Sequence, residues 1–563
     1  MAPQDSLRWM SIGGVGEIGK NCYALDIQGK LLLIDVGMSF PDAHSFGIDI
    51  VIPDFTHLVK NQHRLKGIVL THGHEDHIGA LTYLLQDLKN PPPIYASRFT
   101  LALLRRKLSE FAIDNVQLNE FTPGDDFTVS GIKVATIRVT HSIPESCSVA
   151  VQTPQGWYLH SGDFKFDPSP VDGKLTDFAK LERIGREGVC ALSIDVTNVE
   201  QPGHSKSETS IFENLDRYVA NHDGRVLITT FASNIHRLQQ AIDVAVRQGR
   251  KVLVVGRTMV DNVSVCQDMG YMKVPPNTLI NPNDIDSVKP GQLMVLLTGS
   301  QGEAMAAMAR IANQEHRFIH VMENDLFIFS ARPIPGNEIA IFSVIDDLFR
   351  QGAEVIYGTN TGVHVSGHGY QDEIRRFVEL ADADYLLPTH GYYRHQMRFK
   401  KLAMHWGYDE ENIIISELGK IYAIHPGQWE LDGTFKAGEV YIAGEGADVS
   451  RRILNERLAL AEDGLLLFNV VLSADGEQIL SGPELMGRGF LQPSQAPDLF
   501  ERIEDGIVNS IHRNKMRAPE YRLQLTNNVQ NVIQKIIFQQ TRINPVVIGM
   551  VAYAESAEAK VGS

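Results

Sequence analysis

The chain has 563 residues, which suggests three or four domains at roughly 150 residues per domain. Hydrophobic residues make up 43% of the chain and charged residues 21%, and 52 basic against 68 acidic residues give a formal net charge of −16. This charge argues against a surface that is basic throughout, as in a nonspecific nucleic-acid coat, although a local basic channel remains compatible with it.

The four cysteines form no CxxC pair, which disfavours a disulfide framework and an all-cysteine zinc site. No N-terminal signal peptide is visible, and no apolar run approaches the ~20 residues of a membrane span. We therefore expect a soluble protein of the reducing cytoplasm without a membrane association.

Residues 6–40 have the pattern of strands joined by turns. Within them, Gly14, Gly16 and Gly19 match the GxGxxG pattern of dinucleotide-binding proteins. That pattern requires a helix directly after the glycines, whereas the following NCYALDI is typical of a strand. The sequence therefore favours a glycine turn between strands.

Between about 66 and 160, strands alternate with helices, and the segment THGHEDHIG follows the strand GIVL. Four potential ligands within six residues can converge on one side of a loop, and their nitrogen and oxygen donors suit Zn²⁺, or Mn²⁺ where oxygen ligands are more numerous. We predict two metal sites, with His72 and His74 on one metal and Asp76 and His77 on the other.

Three later residues also follow apolar strands: His141, Asp163 and His390. Each of them alone is more typical of an ordinary polar loop. Together with the first cluster they become candidate ligands, and the two oxygens of Asp163 allow it to bridge two metals.

From about residue 205 the regular alternation of strands and helices predicts a parallel, doubly wound sheet, whose strand-end loops lie along one edge. Three such loops are candidate phosphate sites: Ser233 with Asn234, the segment 298–302, and His364-Val365-Ser366-Gly367-His368. Helix capping is the alternative for Ser233, Asn234 and Ser300, and ordinary loop polarity is the alternative for the two histidines.

The motifs THGHEDHIG, SGDF at 161–164 and PTHG at 388–391 resemble the metallo-β-lactamase fold. The long interval between Asp163 and His390 holds the doubly wound region, as in the β-CASP nucleases, and GGVGEIGKN, LTGSQGE, PIPGNE and HVSGHG resemble the ribonuclease J family within them. Two positions depart from that family: Tyr392 follows His390-Gly391 where a glutamate is usual, and Ala443 stands where an aspartate often holds an extra cation.

The resemblance implies an α/β chain with a metallo-β-lactamase αββα sandwich, an inserted doubly wound β-CASP domain and a small α+β C-terminal domain. The predicted divisions are 1–205 and 354–420 for the sandwich, 206–353 for the insertion, 421–454 for a linker, 455–555 for the C-terminal domain and 556–563 for a tail.

The resemblance also implies roles for individual residues. Two Zn²⁺ ions per chain, with Mn²⁺ possible, would be bound by the seven candidate ligands, of which Asp76 would also be catalytic. His368 would act as the general acid, and Asp195 would orient His368 or His390. Asp35 would support the segment THGHEDHIG, which we call the metal loop. The phosphate-binding residues would be Ser233, Asn234, His364, Val365, Ser366, Gly367 and His368.

The activity implied by the family is 5′→3′ exonuclease and endonuclease cleavage of single-stranded RNA with a 5′-monophosphate, in rRNA and mRNA processing and decay. A homodimer or homotetramer formed through the C-terminal domain is also implied. Alternatives from the residues themselves are a β-CASP enzyme acting on DNA, a nonenzymatic RNA-binding scaffold, and an ester or thioester hydrolase. A di-iron redox protein is disfavoured because His74 stands where that class usually has glutamate.

The charge of −16 predicts how RNA binding should respond to salt. If RNA contacts are confined to one cleft, the logarithm of the affinity should fall only gradually with the logarithm of the salt concentration. The slope should correspond to roughly a few phosphate contacts. Fluorescence-anisotropy titrations of a labelled RNA between about 50 and 200 mM salt measure this slope. A slope near ten contacts would instead reveal an extended basic surface.

Overall fold

The computed structural model describes residues 7–42, 45–299, 306–333, 337–444, 446–514 and 517–554. The chain forms two compact units, one of residues 1–42 with 50–440 and one of residues 43–49 with 441–563. The predicted segment 298–302 and the PIPGNE motif fall partly outside the described residues. Among the described helices, none combines the length and apolar character that crossing a bilayer requires.

The first unit contains a sandwich of two mixed sheets. Apolar side chains from both sheets fill the space between them, among them Trp9, Tyr23 and Tyr158. The larger sheet has, in spatial order, Gln428–Thr434, Lys420–His425, Leu7–Gly13, Cys22–Ile27, Lys30–Ile34, Leu65–Val69, Ile94–Ser97 and Leu118–Phe121. The second has Ala383–Thr389, Val189–Asp195, Gly156–His160, Cys147–Thr153, Ile132–Arg138 and Asp126–Val129.

Helices flank these sheets and complete the layered sandwich. A second apolar cluster lies between the smaller sheet and three amphipathic helices, with Leu181, Phe377 and Phe399 fully buried in it. The helices of the sandwich are Thr56–Lys60, Glu75–Ile78, Leu81–Asp87, Arg98–Glu110, Phe178–Glu187, Gln371–Ala381 and Tyr393–His405, with short 3₁₀ turns at Gln62–Arg64 and Glu410–Asn412. Ile50–Pro53 is a further short strand.

The glycine-rich N-terminal segment is a turn region, not the opening of a helix. Its short strand Val15–Gly16 runs parallel to Gly391–Tyr392, and the backbone N–H of His390 donates to the Gly14 carbonyl at 2.8 Å. The segment therefore stabilises the backbone that carries His390.

The insertion is an all-parallel sheet with the strand order Lys251–Val255, Leu293–Leu297, Val226–Thr229, Leu326–Phe329 and Glu354–Ile356. Its buried strands read as continuous apolar runs because helices cover a parallel sheet on both faces. The helices are Ser210–Ala220, Ile235–Arg247, Arg257–Asp268, Ala307–Ala312 and Glu338–Arg350, with 3₁₀ turns at Pro282–Ser287, Pro290–Gln292 and Thr359–Thr361.

Two predicted boundaries need correction. The segment 354–356 was assigned to the second part of the sandwich, but it pairs with Leu326–Phe329 as the edge strand of the inserted sheet. Part of the predicted linker is also sandwich: Lys420–His425 pairs with Leu7–Gly13, and Gln428–Thr434 pairs with Lys420–His425. Turn residues around 426 and 433 obscured this hairpin, whose register is set by pairing with the distant N-terminal strand.

The second unit contains a three-stranded sheet in the order Ile479–Arg488, Leu465–Leu472 and Val546–Tyr553. Pro497–Arg513 and Arg522–Thr541 pack on one face through side chains such as Ile503, Ile507 and Ile533, all fully buried. The remaining elements are Glu439–Ala443, which pairs with Ala447–Val449, the helix Arg451–Glu462 and the 3₁₀ turn Pro519–Tyr521. The fold class predicted from the sequence is confirmed.

Candidate metal centre

The histidine and aspartate side chains predicted to bind metal converge at the carboxyl ends of sandwich strands. The segment after Leu65–Val69 supplies four of them, and single residues follow Ile132–Arg138, Gly156–His160 and Ala383–Thr389. These residues are His72, His74, Asp76, His77, His141, Asp163 and His390. Loops that follow one strand of the larger sheet and three strands of the smaller sheet thus meet at a single place, although the residues span most of the first unit.

The first group of donors contains His72, His74, His141 and Asp163. His74 Nδ1 lies 3.0 Å from His72 Nε2 and 3.1 Å from His141 Nε2. Asp163 Oδ2 is 3.7 Å from each of the two Nε2 atoms. A tetrahedral zinc ion with ligands at ~2.0–2.1 Å separates neighbouring donors by about 3.3 Å, so the donor types and spacing fit a divalent ion.

The second group contains Asp76, His77, Asp163 and His390. His77 Nε2 lies 3.2 Å from Asp163 Oδ2, and His390 Nε2 lies 3.1 Å from Asp76 Oδ2. Two imidazoles with two carboxylates again match a divalent cation. Asp163 belongs to both groups, which is the position that a bridging carboxylate would occupy.

The electrostatics of the two groups differ. Burial lowers the pKa of His74 to about 4 and that of His72 and His141 well below the ordinary value, so these rings are neutral and their lone pairs suit a metal. Burial acts in the same direction on His390, but the carboxylates of Asp163, Asp195 and Asp76 outweigh it and raise its pKa to about 10. In this group a proton and a metal ion compete for the same imidazole nitrogen.

Asp35 supports the metal loop from beneath. Its buried carboxylate accepts hydrogen bonds from the Thr71 backbone N–H at 2.8 Å, the Thr71 hydroxyl at 2.7 Å and His77 Nδ1 at 2.7 Å. The bond to Nδ1 fixes the His77 tautomer and leaves Nε2 directed at the donor group. Asp35 has a φ of 59°, a left-handed conformation that aspartate tolerates better than most residues.

A close backbone approach also shapes this loop. A Cβ on Gly37 would lie 1.7 Å from the Asp76 carbonyl oxygen, so any side chain there would displace Asp76. Position 37 therefore requires glycine because the backbone of the metal loop lies so close to it, and not because of its own backbone conformation.

The segment 363–368 from the end of the insertion enters the same site; we call it the 363–368 loop. The Gly367 carbonyl lies 2.7 Å from His141 Nδ1 and accepts its hydrogen, which leaves His141 Nε2 free as a donor to metal. A Cβ on Gly367 would come within 2.8 Å of the His141 ring. The inserted domain therefore helps to orient a predicted metal ligand.

His368 closes this loop against Asp195, which ends the strand Val189–Asp195. His368 Nδ1 lies 2.7 Å from Asp195 Oδ2, and its Nε2 lies 3.9 Å from Asp163 Oδ2. Burial would lower the pKa of His368, but the carboxylates of Asp195 and Asp163 outweigh it and raise that pKa above its usual value. Asp195 thus engages Nδ1, and the Nε2 side of the ring faces the metal-binding groups.

The predicted phosphate-binding residues lie at the carboxyl edge of the inserted sheet. Asn234 begins the helix Ile235–Arg247, and its side chain accepts a hydrogen bond from the Arg237 backbone N–H at 3.1 Å, so this residue does cap the helix. Ser233 beside it is half-buried. His364 is largely buried, and burial, Arg237 and Arg332 hold its pKa well below the usual value. Val365 is buried beside it.

Sequence reasoning missed several residues that hold the site together. The Thr197 hydroxyl donates to Asp195 Oδ1 at 2.6 Å and also lies 2.9 Å from the His390 carbonyl oxygen. Asn21 Nδ2 donates to the Asp76 carbonyl at 3.2 Å. Both are polar residues directly beside a strand end, as the recognised ligands are, but neither has a side chain typical of metal binding. Glu373 is fully buried. Its helix has an ordinary amphipathic pattern, so the sequence gives no indication of this burial.

A two-sheet sandwich with an HxHxDH loop and single ligands at later strand ends defines a metal-dependent hydrolase of the metallo-β-lactamase type. The model of the metallo-beta-lactamase superfamily matches residues 15–255. The models named Ribonuclease J, beta-CASP domain, Zn-dependent metallo-hydrolase RNA specificity domain and Ribonuclease J C-terminal domain match residues 223–348, 352–416 and 452–553, respectively.

Relatives cover nearly the whole chain. Ribonuclease J 1 of Streptococcus pyogenes is 37% identical over 96% of each chain, and ribonuclease J of Thermus thermophilus is 36% identical over 98% of this chain and 96% of its own. The chain belongs to the ribonuclease J family and is a metal-dependent nuclease. A crystal structure of a protein of unknown function from Enterococcus faecalis shares the fold, with a TM-score of 0.51 and 14% identity over 74% of this chain and all of its own.

The contacts of Asp35 lead to a prediction about metal affinity. Asp35→Asn keeps a residue that tolerates the positive φ but removes the charge that holds His77 and Thr71. We expect metal affinity to fall by about 10–100-fold, as is usual when a partner of a metal ligand is lost. Competition with a chromophoric chelator measures this affinity. Asp26→Asn is the matched control, because Asp26 is a buried carboxylate of the same sheet that pairs with Arg64; an equal loss in both variants would contradict the prediction.

Proposed function

We propose that this protein hydrolyses phosphodiester bonds of single-stranded RNA, as a 5′→3′ exonuclease that prefers a 5′-monophosphate and as an endonuclease. The observation that carries the proposal is the contact between the metal-binding groups and the 363–368 loop: Gly367 bonds His141, and His368 bonds Asp195. A nuclease must hold a phosphate next to its metal site. This contact supports the proposal because it joins the candidate phosphate-binding loop to the candidate metal ligands within one compact unit.

RNA as the substrate is supported by the relatives, which are named ribonucleases. It is supported further by the match of residues 352–416 to an RNA specificity domain, since this range includes the 363–368 loop and His390. The insertion, through the 363–368 loop that contacts His141 and Asp195, would supply a second wall that a small ester substrate would not need.

The two donor groups would hold two divalent ions, zinc or alternatively manganese. Ions bound there would polarise the scissile phosphate and lower the pKa of the attacking water. In the proposed set His72, His74 and His141 bind one ion and Asp76, His77 and His390 the other, with Asp163 between them. Asp35, Thr71 and Thr197 keep these rings and carboxylates in place.

The remaining chemistry belongs to the chain itself. Asp195 accepts the hydrogen of His368 Nδ1, which orients the ring and favours its charged form. Nε2 can then donate a proton to the 3′-oxygen that leaves phosphorus, which is general acid catalysis. His364, Ser366, Ser233 and Asn234 would hold the phosphates on either side of the cleaved bond.

The proposal extends to the cellular role of the protein and to its oligomeric state. We infer a role in the processing and decay of rRNA and mRNA in the cytoplasm, and a homodimer or homotetramer formed through the C-terminal unit. The exposed apolar residues on its sheet, including Leu480, Met486, Ile548 and Met550, support an oligomeric contact there.

Substrate choice tests the proposed function directly. The metal-loaded protein should degrade a 5′-monophosphate RNA to mononucleotides faster than its 5′-triphosphate counterpart and should leave the matched DNA intact. Denaturing gels of 5′- and 3′-labelled strands distinguish the products. Equal rates on both RNAs without mononucleotides would remove the exonuclease, and cleavage of DNA at the same rate would remove the preference for RNA.

The role of His368 leads to a separate prediction. His368→Ala should lower the cleavage rate by about 10²–10⁴-fold because the leaving oxygen loses its proton donor. Metal content, measured by atomic emission, should stay at the wild-type value. If the variant instead loses metal, His368 is a ligand, in agreement with the third donor group of Asp163, Asp195, His368 and His390.

A further inference from the structure

The 363–368 loop is held at both ends, by different residues. At the end that carries His368, Asn198 Nδ2 donates to Ser366 Oγ at 2.6 Å and to the His368 carbonyl at 3.1 Å. Asn198 follows the strand that ends at Asp195, so this end of the loop is fixed to the sandwich.

The other end is fixed to the insertion. The Val363 carbonyl accepts hydrogen bonds from Ser330 Oγ at 2.5 Å and from Arg237 Nη1 at 3.2 Å. Arg237 Nη1 also donates to the Ser330 carbonyl and hydroxyl, both at 2.8 Å, and its Nε donates to Glu208 Oε1 at 2.7 Å. The Arg237 side chain is fully buried; Nε and Nη1 have these partners, whereas Nη2 has no hydrogen-bond partner among the described residues. The stability of this buried charge therefore depends on the contacts of Nε and Nη1.

A series of hydrogen bonds, linked through Glu208 and Asp167, runs from Arg237 to Thr140. The Glu208 backbone N–H donates to Asp167 Oδ2 at 2.8 Å, and the Asp167 backbone N–H donates to Thr140 Oγ1 at 3.0 Å. Thr140 directly precedes His141, and Asp167 lies in the segment that begins with Asp163. The planar guanidinium therefore joins the position of Val363 to that of two metal-binding residues.

We propose that Arg237 is a positioning residue for substrate binding. It sets the place of His364, which follows Val363, relative to the metal centre, while Asn198 sets the place of Ser366 and His368. This inference rests on the proposed function, since it takes His364 to hold an RNA phosphate. It assigns the Arg237 end of the loop to binding alone, and the Asn198 end to the placement of the proton donor together with Ser366.

Arg237→Lys tests this division. Lysine keeps the charge, but a single ammonium cannot reproduce the guanidinium fork, whose Nε reaches Glu208 while Nη1 reaches Ser330 and Val363. We expect KM for a 5′-monophosphate RNA to rise roughly tenfold while kcat changes less than about threefold, because binding lost equally from substrate and transition state appears in KM alone. Asn198→Ala should instead lower kcat more than it raises KM, because Asn198 holds both Ser366 and the proton donor His368.

Arg225→Lys is the matched control. Arg225 is also a buried arginine of the insertion that binds a carboxylate, Asp325, at 2.6 and 2.8 Å and a backbone carbonyl, that of His320, at 2.6 Å. It lies at the amino end of the strand Val226–Thr229, whereas the 363–368 loop is held at the carboxyl edge of that sheet. Its substitution should lower the melting temperature and leave KM within about twofold of wild type, as loss of a remote contact predicts.

Ser330→Ala provides a second route to the same result. It removes the 2.5 Å bond to Val363 while Arg237 and Glu208 stay paired, so KM should rise in the same direction even if Arg237→Lys does not fold. Anisotropy titrations of labelled RNA in a His368→Ala background, in which the RNA stays intact, check that the KM change is a change in affinity.

The outcomes separate this inference from the proposed function. Equal changes of KM and kcat in the Arg237 and Arg225 variants, or an unchanged KM in Ser330→Ala, would make Arg237 a stabilising residue only and overturn the inference. A wild-type protein that neither binds nor cleaves RNA would overturn the proposed function itself. A wild-type enzyme that cleaves RNA, together with a rise in KM at nearly constant kcat in the Arg237 and Ser330 variants alone, would support both.

Discussion

The rest of the site depends on the interaction between the buried carboxylate of Asp163 and the imidazoles around it. The carboxylate belongs to all three groups of closely spaced donors, and five imidazoles surround it, those of His72, His77, His141, His368 and His390. A carboxylate removed from water is costly unless positive charge is supplied nearby. His77, His368 and His390, whose pKa values the neighbouring carboxylates raise, can supply it. Residues outside the donor groups hold two of these rings in place, Asp35 for His77 and Thr197 for His390.

Sequence reasoning reached this centre because metal chemistry restricts the residues that can be used. His72 to His77 are contiguous, and the later candidates each follow an apolar strand, so residue type and position along the chain were sufficient to find them. The structure brings these seven residues together, and it brings His368 to Asp195.

The supporting residues could not be found in this way. Asn198, Thr197 and Arg237 act through hydrogen bonds to residues more than a hundred positions away, and nothing in their local sequence indicates the partner. The same limit explains the hairpin at 420–434, because its membership of the sandwich depends on pairing with residues 7–10. Local pattern indicates which residues can do chemistry, whereas tertiary pairing decides what holds them.

The pairing of the first strand with one of the last also orders events during synthesis. Leu7–Gly13 has Lys420–His425 as its neighbour on one side, and His390 completes the second donor group only after the entire insertion has been made. At ordinary elongation rates of ~5–20 residues per second, this separates the first strand from its partner by on the order of tens of seconds. A chain still on the ribosome therefore lacks a complete second donor group until His390, after the whole insertion, has been made.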